Sequence, residues 1–480
     1  MKTPISLSID DVLFGQLFTH LFPDDGDEHG AIIAAGISET TRGTRLLARE
    51  VFLARDGIDY VESKRGYRAL NTDFIAEVSQ YCAGEGLCYL AVHCHGGRDS
   101  VGFSLVDMSS HERGYPALLD ILQGAPVGAL VFAKNAVAGD IWSAEGRESL
   151  SHLTVVGTSV RRLFPSPQAN PRTSDMIYDR HARLFGDLGQ EILSNLKVGI
   201  IGLGGGGSLI NEWLARLGVG HIVAIDFDRI DISNLPRTVG ATRRDALALL
   251  TASGIPWLQR LGKRFARHKV QVARRVARQA NPKIRFDAVV GDVLDEATAR
   301  LLTDVDFLFL ATDSIQSRLV FNALVYQYLI PGVQIGAKVP VDSHERTIGQ
   351  IFVATRPVLP AAGYGCLDCS GLIPASRLRE ESLTEAERRA QRYVDDDDVN
   401  EPSVITLNVL SAAQAANDVM MMFTGLYEES VELHHQLNFV RDRQLSIVER
   451  NVNQSCPDCS NHVLSRRARG DTWRLPCRSN

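Results

Sequence analysis

A glycine-rich run between two apolar segments is the feature that most constrains the fold of this chain. The run Gly202-Leu203-Gly204-Gly205-Gly206-Gly207-Ser208 directly follows Lys197–Ile201, and a second apolar segment, His221–Ile225, comes after it. Short apolar runs at this spacing predict two buried strands joined by a helix that begins at the glycines. Glycines let the backbone approach phosphate oxygens, and a helix N-terminus presents unpaired N–H groups. The segment therefore predicts a βαβ unit that binds a nucleotide.

Alternation of strand and helix patterns continues beyond this unit. Phe286–Val290 and Asp306–Leu310 are further strand candidates, and Val270–Ala280 has a helical pattern. Such alternation predicts a mostly parallel, doubly wound α/β sheet. Asp226, about 20 residues beyond the glycines, suits hydrogen bonds to ribose hydroxyls. The glycines and this aspartate are equally compatible with a dinucleotide and with ATP.

The residues that follow Asp226 separate these two alternatives. The segment Asp226-Phe227-Asp228-Arg229-Ile230-Asp231-Ile232-Ser233-Asn234-Leu235-Pro236-Arg237 resembles the Asp-x-Asp-x-x-x-x-Ser-Asn-Leu-x-Arg motif of the ThiF/MoeB/ubiquitin-activating superfamily. Other matching segments extend the resemblance over residues 176 to 460: Tyr178–His181, Gly189-Gln190, Lys269, Ala311–Ser314 and Pro402–Asn408. The resemblance implies a Rossmann-like adenylation domain of the ThiF type.

This resemblance also implies a role for individual residues. Asp226 would bind the ribose, whereas Asn234, Arg237 and Lys269 would bind the ATP phosphates and Asp313 would hold Mg²⁺. Cations suit a reaction in which a carboxylate attacks the α-phosphate and pyrophosphate leaves. The rest of the implied nucleotide site consists of Gly202, Gly204, Gly205, Gly207 and Asp228. Arg180 would reach the triphosphate of a neighbouring subunit, so the resemblance implies a homodimer.

The acceptor of the activated group is open at this point. Family members that form a thioester carry a cysteine in the crossover segment, but no cysteine lies between Cys369 and Cys456 here. The enzyme either stops at the acyl-adenylate, passes the acyl group to the thiol of a conjugating enzyme, or uses Cys477.

A long basic segment is a second departure from compact family members. The 31 residues between Arg237 and Lys269 exceed the usual spacing, and Gln259–Arg278 is densely basic. Two interpretations remain: a solvated helix face in an enlarged crossover, or a docking surface for an acidic partner.

Two Cys-x-x-Cys pairs, Cys366/Cys369 and Cys456/Cys459, indicate a metal. Four thiolates in two tight turns are typical of a tetrahedral, closed structural Zn²⁺ site, with a redox dithiol as the alternative. Such a site would hold the C-terminal tail against the core.

A histidine pair follows another strand candidate, Leu87–Val92. Alternation along the strand end places His93 and His95 on one side. Together with Ser104 and Asp107, the pair resembles the His-x-His…Ser-x-x-Asp pattern of JAMM/JAB metalloproteases, although Gly96 replaces the usual proline.

The JAMM resemblance implies a second, hydrolytic site. His93, His95 and Asp107 would bind Zn²⁺ and leave one position for water. Glu28, just before the apolar run Ala31–Ala35, would be the general base, and Ser104 would hold the water or the oxyanion. Cys94 is expected to be a small buried residue; the alternative is a fourth ligand that silences the site.

Length and composition bound the organisation. A chain of 480 residues suggests two to four domains. We predict a JAMM-like α+β domain over residues 1–163, a proline-rich linker over 164–175 and the adenylation domain over 176–480. The charged segment Arg377–Asp398 is expected to be solvated and mobile.

Charge and hydropathy exclude several classes of protein. A net charge of −6 argues against a dedicated nucleic-acid binder. The chain lacks both an apolar run of about 18 residues and a secretory signal, so we expect no membrane span and a cytoplasmic location.

The combined expectation is adenylation of the C-terminal glycine of a ubiquitin-like, β-grasp carrier, coupled to a JAMM-type isopeptidase or processing peptidase. The setting would be a prokaryotic conjugation system, with anti-phage defence as one such setting. Two alternatives remain: activation and trimming of a sulfur carrier for cofactor or cysteine biosynthesis, and an adenylyltransferase whose JAMM-like half only binds the carrier.

Overall fold

The computed structural model describes residues 4–61, 68–342, 347–361, 363–382, 402–428 and 431–478. The helices are α1 (Asp11–Leu21), α2 (Thr72–Glu85), α3 (Leu105–Ile121), α4 (Asp179–Asn195), α5 (Gly205–Leu217), α6 (Ala248–Thr251), α7 (Pro256–Phe265), α8 (Lys269–Ala280), α9 (Glu296–Ala299), α10 (Ile315–Gln327), α11 (Ala375–Ser382) and α12 (Ile405–Thr424). The strands are β1 (Ile5–Asp10), β2 (Gly30–Thr40), β3 (Gly43–Leu53), β4 (Cys88–Cys94), β5 (Val127–Phe132), β6 (Val137–Ser143), β7 (Gly146–Val156), β8 (Arg161–Leu163), β9 (Lys197–Ile201), β10 (His221–Ile225), β11 (Arg285–Val289), β12 (Phe307–Leu310), β13 (Gly332–Lys338), β14 (Val341–Asp342), β15 (Thr347–Ile348), β16 (Phe352–Val358), β17 (His435–Phe439) and β18 (Gln444–Val448).

The first eight strands form one mixed sheet in the order β1-β3-β2-β4-β5-β6-β7-β8, which closes on itself because β1 also pairs with β7. Successive side chains of β2 point to opposite faces of the sheet. Ile33 packs in a core with α1, whereas Ile32 packs in a core with α2 and α3. The sheet is therefore covered by helices on both sides, and β4 lies near its centre.

The remaining large sheet has the order β11-β10-β9-β12-β13-β16-β17-β18. Its first five strands are parallel and the others antiparallel. One face packs against α4, α5, α8 and α12, and the other against α10 and the C-terminal tail. This is the doubly wound α/β arrangement that the alternation of strand and helix patterns predicted, with β9 and β10 at the predicted residues.

The segment after the second cysteine pair lies between the two large sheets. The Gly470 N–H donates to the Gln327 carbonyl at 3.0 Å, and Gly470 also forms a parallel bridge with Ile37 of β2. A Cβ at Gly36 would lie 2.1 Å from the Ala468 carbonyl oxygen, so only glycine fits there. The tail thus contacts both halves of the chain.

Arg467 is the central side chain of this contact and is only 1% exposed. Its guanidinium donates to Asp10 Oδ2 at 2.8 Å and to the Arg49 carbonyl at 2.5 Å. Burial raises the pKa of Asp10, and the Arg467 charge opposes that rise. Asp10 also caps α1 through the Val12 and Leu13 N–H groups. One ion pair therefore joins the first helix to the last segment.

The charged segment predicted to be solvated is partly ordered. Ala375–Ser382 is helical, and the Glu381 carboxylate accepts from the N–H groups of Ile315 and Gln316 at the start of α10. The expectation of mobility was therefore wrong for Arg377 to Ser382, because this carboxylate satisfies a helix N-terminus. Residues 383–398 of the segment lie outside the described residues.

Residues 164–174, at the predicted linker, contain no helix or strand in the structure. Within the part of the chain that the structure describes, no helix has the length and apolar character needed to cross a bilayer.

We expect Arg467→Met to lower the free energy of unfolding by about 3 kcal/mol, because it leaves Asp10 buried without its cation. The matched control is Arg216→Met, since Arg216 is exposed and pairs with Glu212 along one helix. That change should cost less than about 1 kcal/mol. Chemical denaturation of both variants measures their free energies of unfolding. Equal losses in the two variants would show that the buried ion pair stabilises the fold no more than the exposed one.

Candidate functional site

The predicted nucleotide-site residues lie at the carboxyl ends of three neighbouring parallel strands. Asp226 directly follows β10, the glycine run follows β9, and Asp313 lies three residues beyond β12. The pairing of Ile201 with Ile225 and with Leu310 brings the three ends to one edge of the sheet. Ligands of open α/β sheets bind at this edge.

The glycine run forms a close turn into α5. Gly202 has φ +90°, which favours glycine, and a Cβ at Gly207 would lie 1.9 Å from the Gly202 carbonyl oxygen. Gly204 precedes the first turn of α5, and the Asn408 side chain faces Gly205. A helix of 13 residues with a side-chain-free N-terminus fits a bound phosphate group.

Asp226 is buried and anchors this turn. Its carboxylate accepts from the N–H groups of Leu203 at 2.7 Å and Asp228 at 2.8 Å. Burial raises the pKa of Asp226, and the nearby Lys269 ammonium opposes the rise. Lys269 Nζ lies 2.6 Å from Asp228 Oδ2 and 3.8 Å from Asp226 Oδ2. The structure thus brings two acidic residues and the predicted phosphate-binding lysine together.

The other predicted residues of this site differ in their surroundings. Asn234 is buried, and its Oδ1 accepts from the Asp231 N–H. The side-chain oxygen therefore stabilises a local turn. Arg237 and Asp313 have no hydrogen bond or ion pair from their side chains within the described residues. Arg180 is exposed in the first turn of α4. The side chains of Arg237, Asp313 and Arg180 could therefore contact a ligand without first breaking such a bond among the described residues.

Cys477 does not resemble a reactive thiol. Its Sγ lies 3.8 Å from the Val293 carbonyl oxygen, and burial raises its pKa to about 11. Thiolates are the nucleophilic form of cysteine, so a raised pKa disfavours attack near neutral pH.

The predicted zinc ligands of the first half meet at the end of β4. His93 Nε2 and His95 Nε2 lie 3.2 Å apart, and each lies 3.6 Å from Asp107 Oδ2. Ligands around a tetrahedral zinc ion lie about 3.3 Å from one another. Glu28 Oε1 is 3.9 Å from His95 Nε2, as a base beside the ion would be. These residues fit Zn²⁺.

Local structure orients this cluster. Ser104 is the N-cap of α3: its Oγ accepts from the Asp107 N–H, and its own N–H donates to Asp107 Oδ2 at 2.7 Å. Burial alone would raise the pKa of Asp107, but hydrogen bonds from His93 and Ser104 hold it well below its usual range. The Gly102 carbonyl oxygen lies 3.2 Å from His95 Nδ1 and so directs Nε2 toward the cluster.

Cys94 is not a fourth ligand. It is buried, donates from Sγ to the Leu21 carbonyl at 3.0 Å and accepts from the His29 N–H. It therefore points to the face of β4 opposite the two histidines, as expected of a small buried residue.

The four cysteines of the two Cys-x-x-Cys pairs also converge. Cys366 Sγ lies 3.6 Å from Cys456 Sγ, and Cys369 Sγ lies 3.5 Å from Cys459 Sγ. All four sulfur atoms lie within 4.8 Å of one another. Zn–S bonds of about 2.3 Å require sulfur separations near 3.8 Å, so this group fits a closed Zn²⁺ site.

Sequence reasoning missed two contributors. The Gly102 carbonyl has no side-chain signal, since its role depends on the loop between β4 and α3. Asn408 lies in a segment that the family resemblance included, but its contact with Gly205 joins residues about 200 positions apart in sequence.

Comparison with known proteins gives one family over much of the chain. The sequence profile of the ThiF family matches residues 178–461. Molybdopterin-synthase adenylyltransferase of Escherichia coli is 31% identical over 35% of this chain and 57% of its own length. Sulfur carrier protein ThiS adenylyltransferase of Escherichia coli is 32% identical over 41% of this chain and 68% of its own length.

Coverage of these relatives is partial. The chain spans 57% of the first two curated relatives it matches and 46% of the third. A crystal structure of Escherichia coli MccB superposes with a TM-score of 0.45 at 19% identity, over 60% of this chain and 75% of that one.

We expect the purified chain to hold about two zinc ions, one at each cluster. His95→Ala should lower the content to one, and Cys459→Ser should remove the other. Elemental analysis by mass spectrometry, with protein concentration from amino-acid analysis, measures the ratio. One zinc in the unmodified chain that persists in His95→Ala would restrict metal to the cysteines and contradict the zinc prediction for the histidine cluster.

Proposed function

Because the chain belongs to the ThiF family, we propose that it activates the C-terminal carboxylate of a small carrier protein as an acyl-adenylate, with MgATP as co-substrate. The observation that carries this proposal is the glycine turn at the start of α5 with Asp226 and Lys269 beside it. Two relatives are named adenylyltransferases of molybdopterin synthase and of a sulfur carrier, which supports the reaction class.

The residues suit the charges of this reaction. One carboxylate oxygen of the carrier forms a bond to the α-phosphorus, the bond from that phosphorus to the bridging oxygen breaks, and pyrophosphate leaves. Negative charge builds on the departing oxygens, where Arg237 and Lys269 would stabilise it. Asp313 would hold Mg²⁺, Asp226 would bind the ribose, and Asn234, Asp228 and the glycine turn would complete the nucleotide site. Arg180 would act across a homodimer.

The acceptor of the activated carboxyl group is inferred from the cysteines of the chain. Apart from Cys477, the described cysteines are either buried or in the cluster of four, and burial raises the pKa of Cys477 to about 11. We therefore propose that the chain releases the acyl-adenylate to a thiol or sulfur donor of a partner, such as a conjugating enzyme.

The adenylation proposal predicts loss of carrier-dependent ATP–pyrophosphate exchange in Asp313→Ala and in Arg180→Ala. Both side chains are exposed, so the fold should survive. The assay uses purified Escherichia coli ThiS and any β-grasp protein encoded beside this gene as carriers. Arg183→Ala, on the same helix as Arg180, is the matched control and should retain exchange. Full exchange in Asp313→Ala would contradict the assignment.

For the first half we propose a zinc-dependent JAMM-type peptidase acting next to the same C-terminal glycine. The cluster of His93, His95 and Asp107 with Glu28 nearby supports this second function. Zinc would polarise the scissile carbonyl and supply an activated water. Glu28 would accept the proton of that water and pass it to the leaving amine, and Ser104 would donate to the oxyanion.

Glu28→Gln should therefore abolish cleavage of a carrier precursor or of a carrier–lysine isopeptide, while ATP–pyrophosphate exchange continues. Electrophoresis of the substrate against time measures the cleavage. Asp24→Asn, in the same loop, is the control and should retain activity, because the Asp24 side chain is exposed and lies 3.7 Å from its partner Lys134. Loss of both activities in Glu28→Gln would show that the two sites are coupled.

Two cellular roles match this pair of activities, and a third alternative involves adenylation alone. A prokaryotic ubiquitin-like conjugation system, including anti-phage defence, would yield a thioester on a conjugating enzyme. Sulfur-carrier chemistry for cofactor or cysteine synthesis would yield a thiocarboxylate. A JAMM-like half without catalysis would only bind the carrier. Mass spectrometry of the carrier after the reaction separates the first two roles, and the Glu28 assay separates the third.

A further inference from the structure

Helix α7 presents an apolar stripe to solvent. Trp257, Leu261 and Phe265 recur every four residues along one side of the helix and are 64%, 40% and 63% exposed. The side of the helix next to Phe265 packs inward through the partly buried Leu258 and the buried Gly262. Large apolar side chains in a contiguous exposed row mark interaction surfaces.

Basic side chains border this stripe. Arg260 and Arg264 lie one helical turn apart beside it, are exposed, and have no acidic partner within the described residues. The basic surface continues onto α8, where Arg274 and Arg278 line a groove together with Arg267. We call Trp257, Leu261, Phe265, Arg260 and Arg264 the α7 face. Its charge is opposite to the net charge of the chain, so it matches an acidic partner.

The α7 face is rigidly supported. Asp245 accepts from Arg275 at 2.8 and 2.9 Å and from Thr242 at 2.7 Å, and its carbonyl accepts from the Arg267 N–H. A Cβ at Gly262 would lie 2.7 Å from the Thr251 methyl group, so α6 and α7 pack closely. A rigid helix loses little conformational entropy when a partner binds.

The end of α7 is tied directly to the nucleotide site. The Ala266 carbonyl accepts from Arg229, and the Arg267 carbonyl accepts from the Ile230 N–H at 2.8 Å. Two residues later the Lys269 N–H donates to the Asp228 carbonyl at 3.0 Å. A carrier that brings its C-terminal carboxylate to ATP bound beside Lys269 would therefore pass close to α7.

We propose that the α7 face is the docking surface for the folded body of the carrier, and that it recognises an apolar patch surrounded by acidic residues. This inference rests on the proposed adenylation, which supplies the reason for a protein to occupy that side of the site. Aromatic residues and arginine together are the composition of binding hot spots.

A protein partner suits the α7 face better than a polyanion. Phosphates of RNA or of a lipid surface would also pair with Arg260 and Arg264, and bases or acyl chains would cover the apolar side chains. The backbone hydrogen bonds that join the end of α7 to Asp228 and Ile230 favour a partner that also reaches the nucleotide site, as the carrier does. An apolar protein patch buries Leu261 and Phe265 and gains about 25 cal/mol per Å² of apolar surface.

The test measures ATP–pyrophosphate exchange by the full chain against the concentration of the carrier that supports exchange above. The double variant Trp257→Ala/Leu261→Ala should raise the carrier KM by about tenfold or more, with the ATP KM and kcat unchanged. Arg260→Glu/Arg264→Glu should raise the carrier KM and weaken its dependence on salt. Matched controls are Leu464→Ala, which is 68% exposed, and Arg113→Glu. Both should behave as the wild type.

A peptide of the last ten carrier residues provides a second readout. Its KM should be the same for the wild type and for every α7 variant, because the peptide lacks the folded body.

Several results would overturn the proposal. An unchanged carrier KM in both α7 double variants, with exchange intact in the wild type, would refute the docking surface and leave adenylation standing. Absence of exchange in the wild type with every carrier would refute the adenylation and the docking together. A wild-type dimer that Leu261→Glu dissociates in sedimentation would assign the face to a second copy. If the α7 double variants lost binding to bulk tRNA or to phosphatidylglycerol vesicles while their carrier KM stayed unchanged, the α7 face would be assigned to a polyanion.

Discussion

The buried Arg467 guanidinium constrains the assembly of the whole molecule. It lies between β1, β3 and the C-terminal tail, and it contacts Asp10 and the Arg49 carbonyl. A guanidinium without partners is costly to bury, so these segments are stable only when they come together. The second cysteine pair begins the same tail, and Gly470 forms a bridge with Ile37 of β2. The tail therefore packs against both large sheets, and each half of the chain would lose part of its packing without it.

The two candidate sites use this scaffold in different ways. The glycine turn would bind a nucleotide through backbone groups, so its geometry depends on Gly202 and Gly207 and on the parallel strands that end there. The histidine cluster would bind a metal through side chains, so it depends on α3, whose capping box places Asp107 beside β4. In each case the reactive groups follow the end of a central strand, where the sheet holds them firmly.

Chemically the two proposed activities are opposed. Adenylation makes the carrier carboxylate more reactive, whereas hydrolysis releases the same group from an amide. A single chain that carries both can prepare a carrier and recover it. The proposed docking surface beside Lys269 would hold the carrier for adenylation, whereas the proposed hydrolysis would need only a short segment around the scissile bond.

Much of the local structure could be predicted from the sequence. Apolar periodicity placed β9 and β10, strand alternation placed His93 and His95 on one side, and cysteine spacing predicted the cluster of four sulfurs. These features depend on residues that are neighbours along the chain. The family resemblance added the roles assigned to Asp226, Lys269 and Asp313, which remain predictions for this chain.

What only the tertiary structure decided are contacts between distant parts of the chain. Asp10 and Arg467 lie 457 positions apart, and Glu381 caps α10 from 65 positions away. No periodicity encodes such pairs, because each depends on how complete sheets and helices pack. The outward direction of the α7 stripe is of the same kind. The sequence by itself determined which segments are strands, helices and ligand clusters, whereas packing decided which of their faces meet and which remain open to a partner.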